Sequence, residues 1–321
     1  MPARLIVYPP DAAAVTRWIQ PGERLRIGRG EDNDLRLDHP SISRAHAELR
    51  QADTERGDVP AETTQWGATE TAPEKPATAW RLRDLGSKNG SFADGMAARD
   101  DLLPSACWLR FGDVHCEFAA FDEQQANQLR GRDQQRRNLS SVMTRQVAGQ
   151  TQFDSLLDEV LRGVVDLAGC TRGFMLLSEG DDYVVSASLV IDPAALDRRA
   201  FSGSVGAVQR VLAQGKPVVV NHVGGESWLA ERASIVGSGL QTLVCLPLRD
   251  GTRIFGAVYA DRRGPGEPIT EFDLELLEAF AETATLWLLA RRALQSLDDA
   301  PRWSTIVHAQ SAGPATPSSA G

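Results

Sequence analysis

Three short stretches decide the fold of the first third of the chain. They are Ile27-Gly28-Arg29, then Ser41-Ile42-Ser43-Arg44-Ala45-His46-Ala47, then Asp84-Leu85-Gly86-Ser87-Lys88-Asn89-Gly90-Ser91-Phe92. Each sets a short apolar run against a polar loop rich in Gly, Ser, Asn or Arg. Working outward, similar runs recur at Leu5–Tyr8, Arg17–Ile19, Leu25–Ile27, Leu35–Leu37, Ala45–Arg50, Trp80–Arg83, Trp108–Phe111 and Val114–Phe121. They alternate or form compact apolar blocks, the pattern of half-buried strands. Asp32-Asn33, Asn89-Gly90 and Asp94-Gly95 supply turns. Many short strands in close succession predict an all-β sandwich or barrel. The segment 51–78 breaks the rhythm. It is rich in Thr, Ala, Glu, Pro and Gly, lacks periodicity, and reads as an insertion between two strands.

Taken in order, Gly28-Arg29, Ser43 with His46 three residues on, and Asn89-Gly90 closely resemble the forkhead-associated (FHA) domain family. The resemblance covers roughly Leu5 to Phe121, and it implies a β-sandwich over 1–121 that reads phosphothreonine. It places Arg29 and Ser43 on the phosphate, and Arg44 and Lys88 as further phosphate or peptide contacts. Asn89 falls on the ligand backbone, and Ser87 is a second-rank hydroxyl donor. The chemistry agrees, because a phosphate dianion is best held by a planar guanidinium and small hydroxyl or amide donors. His46 could be taken for a ligand or base, but the resemblance implies that it buttresses the Ser43 loop. Gly28, Gly86 and Gly90 read as backbone geometry. The insertion departs from the family, which has a short connection there.

Residues 122–151 are polar and suit a linker helix, with apolar positions only at Leu129, Leu139, Val142 and Val147. A second domain is expected over 152–297. Phe153, Leu156, Leu157, Val160, Leu161, Val164, Val165 and Ala168 fall at helical spacing. Strand-like runs follow at Phe174–Leu177, Tyr183–Leu189, Val218–Val220, Thr242–Leu248 and Ile254–Ala260. Between them a helix over Val205–Ala213 stops at Gly215. A last helix runs from about Thr270 to Leu297, with Thr270 as N-cap and Asp273 in its capping-box position. This order predicts an α+β domain around a mostly antiparallel sheet. With Gly173-Phe174-Met175-Leu176-Leu177, Ser202-Gly203-Ser204-Val205-Gly206 and Ile254-Phe255-Gly256-Ala257-Val258-Tyr259-Ala260-Asp261, the segment resembles the GAF domain family. That resemblance implies a sensory or dimerising module, with a parallel homodimer through the Phe153–Ala168 and terminal helices. The Asn-Lys-Phe-Asp-Glu signature of cyclic-nucleotide GAF domains is not in the sequence. His222 reads as a loop residue and Cys245 as core packing. The Pro-, Ser- and Ala-rich tail, 298–321, is expected to be disordered.

The 321 residues carry a formal net charge of -9, which argues against a nucleic-acid partner. With 42% hydrophobic and 24% charged residues, both halves can bury a core. No apolar run approaches the roughly 18–20 residues of a membrane span, and no leader pattern is visible, so cytoplasm is expected. Cys107, Cys116, Cys170 and Cys245 are scattered, which predicts reduced thiols and no metal site. No catalytic loop or elbow motif occurs and no cofactor is implied. The chain therefore reads as a non-catalytic adaptor for a threonine-phosphorylated partner, a Ser/Thr kinase or its substrate. The rival reading is a small-molecule sensor whose GAF pocket is the input. Its FHA module would then be autoregulatory, binding Thr144, Thr305 or Thr316 when phosphorylated.

Overall fold

The computed structural model describes residues 1–10, 12–52, 79–192, 203–221 and 241–298. The expected insertion from residue 53 onward, the tail beyond 298, His222, Thr305 and Thr316 lie outside the described residues. Eleven strands form the N-terminal sandwich: β1 (Ala3–Tyr8), β2 (Val15–Ile19), β3 (Arg24–Gly28), β4 (Leu35–Arg36), β5 (Ala47–Gln51), β6 (Trp80–Asp84), β7 (Ser91–Ala93), β8 (Met96–Ala98), β9 (Asp100–Leu103), β10 (Ala106–Phe111) and β11 (Val114–Ala120). One sheet is ordered β2-β1-β11-β10-β7-β8 and the other β4-β3-β5-β6-β9. All pairings are antiparallel except β3 with β4.

Period-two alternation places Leu5, Val7, Leu25, Ile27, Ala47, Leu49, Trp80, Leu82, Leu109, Phe111, Cys116 and Phe118 between the sheets, all buried. The hairpin β7–β8 has no alternation to read, because each strand is three residues long. Its signal is the turn: Asp94 (φ 45°) and Gly95 (φ 79°) both take the left-handed conformation that matches strand twist in a two-residue loop.

The second unit contains α1 (Glu123–Ala148), α2 (Phe153–Leu167), β12 (Arg172–Glu179), β13 (Asp182–Leu189), α3 (Val205–Gln214), β14 (Val218–Asn221), β15 (Thr242–Asp250), β16 (Arg253–Arg262) and α4 (Glu271–Asp298). Its antiparallel sheet is ordered β13-β12-β16-β15-β14. Successive side chains of β15 go to opposite faces. Val244, Leu246 and Leu248 join the core under α2 and α4, whereas Leu243 and Cys245 join Ala207, Val208 and Val211 of α3. Gly215 ends α3 at φ 64°, with its N–H donated to the Val211 carbonyl at 2.8 Å. Thr270 and Asp273 form a reciprocal cap on α4: the Asp273 N–H donates to Thr270 Oγ1 at 3.2 Å and the Thr270 N–H to Asp273 Oδ2 at 2.9 Å.

Burial divides the two helices expected to pair copies. The apolar side of α2 is spent inside the chain, with Leu156, Leu157, Val160, Leu161, Val164 and Val165 all buried. The outer side of α4 keeps Leu286, Trp287, Leu294 and Leu297 at 69%, 38%, 51% and 70% exposure. The polar α1 is one continuous 26-residue helix, started by an Asp122–Gln125 capping box. It packs against the chain through Leu139, Met143 and Val147, which join the core of the second unit, and through cations. Arg136 pairs with the buried Asp273, Arg132 with Glu267 at 3.1 Å, and Arg137 and Arg130 lie over the Phe272 and Trp18 rings. The two domains also share main-chain bonds: the Ala14 N–H donates to the Ile269 carbonyl and the Glu271 N–H to the Ala14 carbonyl, both at 2.9 Å.

Candidate functional site

The loops after β3, before β5 and after β6 meet at one end of the sandwich, and hydrogen bonds set their spacing. The Arg29 N–H donates to the Ser43 carbonyl at 2.9 Å and the Gly30 N–H to the Arg44 carbonyl at 3.0 Å. Asn33 Nδ2 donates to the same Arg44 carbonyl at 2.6 Å and to the Gly30 carbonyl at 2.8 Å. Gly28 has no room for a side chain, since a Cβ there would lie 2.4 Å from the Arg44 carbonyl oxygen.

His46 is fully buried and joins two of the loops. Its Nδ1 accepts the Ser43 N–H at 3.0 Å, which assigns the ring proton to Nε2, and Nε2 then donates to the Gly90 carbonyl at 3.1 Å. Burial lowers its pKa, and the Gly90 carbonyl and Asp84 offset this only in part. Gly90 holds φ at 79°, a conformation that an L side chain resists.

Asp84 organises the third loop. Its Oδ1 accepts the Gly86 and Ser87 N–H groups, both at 2.8 Å, and its Oδ2 accepts the Ser87 and Ser91 hydroxyls at 2.7 and 2.6 Å. Burial alone would raise this carboxyl, but the four donors outweigh it and hold the pKa below the ordinary range. The Ser87 hydroxyl proton is therefore committed to Asp84, and Ser87 acts in this arrangement as a brace of the loop. Asn89 Nδ2 donates to the Ser41 carbonyl at 2.8 Å, and the Lys88 N–H donates to Ser43 Oγ at 3.0 Å. Ser43 thus has its hydroxyl oxygen anchored while its own proton stays free to donate.

The result is a cleft of about 570 Å³ lined by Arg29, Pro40, Ser41, Ile42, Ser43, Arg44, Ala45, Lys88 and Asn89. Five of the six predicted contact residues line it; Ser87 does not. Gly28, His46 and Gly90 stand behind it as backbone and buttress. Every ionisable side chain in the lining is a cation, and Arg29, Arg44 and Lys88 are exposed. Among the described residues, none of the three pairs with a carboxylate. Sequence reading did not single out Asn33, Asp84 or Ser41. The available signal was Asp84 two and three residues before Gly86 and Ser87, the spacing of a side-chain-capped turn.

Residues 25–112 match the model of the FHA domain and residues 152–288 that of the GAF domain. The chain carries an FHA domain followed by a GAF domain. The FHA family is known for phosphothreonine binding, and GAF domains for ligand sensing and dimerisation. Among solved structures, one likeness is an FHA domain described for phosphothreonine-dependent interactions, 21% identical, covering 37% of this chain and 98% of that one, with a TM-score of 0.26. Another is the FHA domain of the CT664 protein from Chlamydia trachomatis, 18% identical, covering 38% and 100%, with a TM-score of 0.29. A third is the Slr1951 protein from Synechocystis sp., 20% identical, covering 37% and 99%, with a TM-score of 0.27. No curated protein matches the chain. No described helix is long and apolar enough to cross a membrane.

Proposed function

We propose that this protein is a non-catalytic adaptor that binds threonine-phosphorylated partners, a Ser/Thr kinase or its substrate, in the cleft between the three loops. The observation that carries the reading is a cleft whose charged groups are all cationic, in a chain of net charge -9, with the anchored Ser43 hydroxyl in its lining. Arg29 and Lys88 supply charge to the phosphate, Ser43 donates its hydroxyl proton, and Asn89 holds the ligand main chain. Asn89 suits that role because one amide proton is fixed on Ser41, so the carboxamide plane is set before a ligand arrives. The test is a phosphopeptide array read with wild type and Arg29→Ala. Phosphothreonine peptides bind the wild type, unphosphorylated copies do not, and the variant loses about 2–5 kcal/mol, at least ~30-fold in Kd. Equal binding by the variant overturns the assignment.

Two copies are proposed to pair through the outer face of α4. Trp287, Ala290, Leu294 and Leu297 follow a 3-4-3 spacing along that face and are exposed, the pattern of a two-stranded helical seam. Pairing doubles the number of FHA clefts per particle, which favours partners with clustered phosphothreonines.

A further inference from the structure

A second cleft, of about 510 Å³, opens between the outer face of the sandwich and the GAF domain. Period-two alternation buries Val7, Leu109 and Cys116 and turns their neighbours Tyr8, Trp108 and Glu117 outward, where all three line this cleft. The Tyr8 and Trp108 rings lie 5.7 Å apart and are tilted by 40°. Trp108 is pinned through its main-chain N–H, which donates to Asp94 Oδ1 at 2.9 Å. Glu117 is the register partner of Trp108 and accepts the Tyr8 hydroxyl at 3.2 Å. Burial and the Glu117 charge hold that phenol protonated above its ordinary range. Among the described residues Glu117 takes only this hydrogen bond, of the several a carboxylate can accept. Arg4 stands from it at 4.0 Å, the limit of an ion pair, with its guanidinium over the Phe121 ring.

The facing wall carries the opposite charge. Arg262, at the end of β16, lines the cleft and is 8% exposed. Its guanidinium donates to the Gly169, Gly264 and Glu267 carbonyls at 2.7, 3.0 and 3.0 Å and to Thr242 Oγ1 at 3.1 Å. Gly266 is pressed onto it, since a Cβ there would lie 2.6 Å from Arg262 Cζ. All four acceptors are neutral, and Arg262 pairs with no carboxylate among the described residues. The Glu267 carboxylate is turned to Arg132, at 3.1 Å. A buried guanidinium with neutral acceptors alone keeps an uncompensated charge, and one of its five N–H groups is still unused.

We propose that this cleft binds a small zwitterion, an ammonium or quaternary ammonium joined to a carboxylate, of the amino acid and betaine class. The cationic end lies against the Tyr8 and Trp108 rings and Glu117, the setting in which an aromatic face and a carboxylate attract an organic cation. The carboxylate end faces Arg262. A bare cation leaves Arg262 unanswered and a bare anion meets Glu117, so a ligand with both charges is preferred. Its two ends are read by different domains, so the ligand reinforces the contact already made through Ala14 and Ile269.

The test titrates the full chain with glycine betaine, carnitine and the common amino acids, with choline and acetate as single-charge controls. It reads the melting temperature and the Trp108 indole N–H by NMR, assigned from the Trp108→Leu spectrum. One or more of the zwitterions moves that indole and raises the melting temperature, and binds at least ~10-fold more tightly than choline or acetate. Glu117→Gln, an isosteric change at a half-buried side chain, weakens the binding at least ~10-fold and leaves phosphothreonine peptide binding unchanged. Three results overturn the inference: no zwitterion moves the Trp108 indole, Glu117→Gln binds as tightly as wild type, or choline matches the best zwitterion, which would remove Arg262 from the site.

Discussion

A methyl group at position 28 would press into the Arg44 carbonyl, a backbone atom already held by Gly30 and Asn33. Gly28→Ala therefore costs about 1–3 kcal/mol of stability, read as a lower melting temperature, and displaces the Arg44 loop. His46 gives a pH signature. Burial holds its folded-state pKa below that of the unfolded chain, so the unfolded chain takes up the proton first. The stability it contributes is present above the unfolded value of about 6.5 and is lost as pH falls through the folded value. Urea titrations at pH 7.5 and 5.5 will show a larger acid loss in wild type than in His46→Gln. Equal losses would place the titration elsewhere. Arg29, Ser43 and Asn89 could be read from sequence because each sits in a short local pattern. Asn33 could not, since its partner carbonyl is eleven residues away and a loop Asn also serves as a plain turn former. Ser87 was legible as a hydroxyl but not as a committed one, because its acceptor, Asp84, is defined only by the folded loop.

Asp273 shows how one side chain ties elements together. Its Oδ2 accepts from Thr270 at the start of α4, and its Oδ1 accepts from Arg136 of α1. Asp273→Ala removes the cap at about 1 kcal/mol and strands a partly buried Arg136, so its thermal loss exceeds that of Arg136→Ala. Matching losses in the two variants would show that the cap contributes nothing of its own. The α3 and α4 ends were legible because capping chemistry lies within four residues of the helix terminus. The packing of α1 was legible only in part, because Leu139, Met143 and Val147 make a short apolar stripe while its ion pairs and ring contacts leave no periodic signal. Strands β7, β8 and β9 were too short to show a period.

For the whole molecule, the α4 seam predicts a dimer in solution. Leu294→Glu with Leu297→Glu should halve the mass measured by light scattering and leave the helix content unchanged, since both side chains are exposed in one chain. An unchanged mass would remove the seam from the account. The order of the two domains was legible from apolar periodicity, whereas their contact through Ala14, Ile269 and Glu271 was not, because main-chain bonds leave no residue signature. The central claim is tested on the intact chain by amide NMR during titration with a phosphothreonine peptide. Arg29, Ser43, Arg44, Lys88 and Asn89 should give the largest shifts, and the unphosphorylated peptide none. Shifts centred elsewhere, or the same shifts from both peptides, would contradict it.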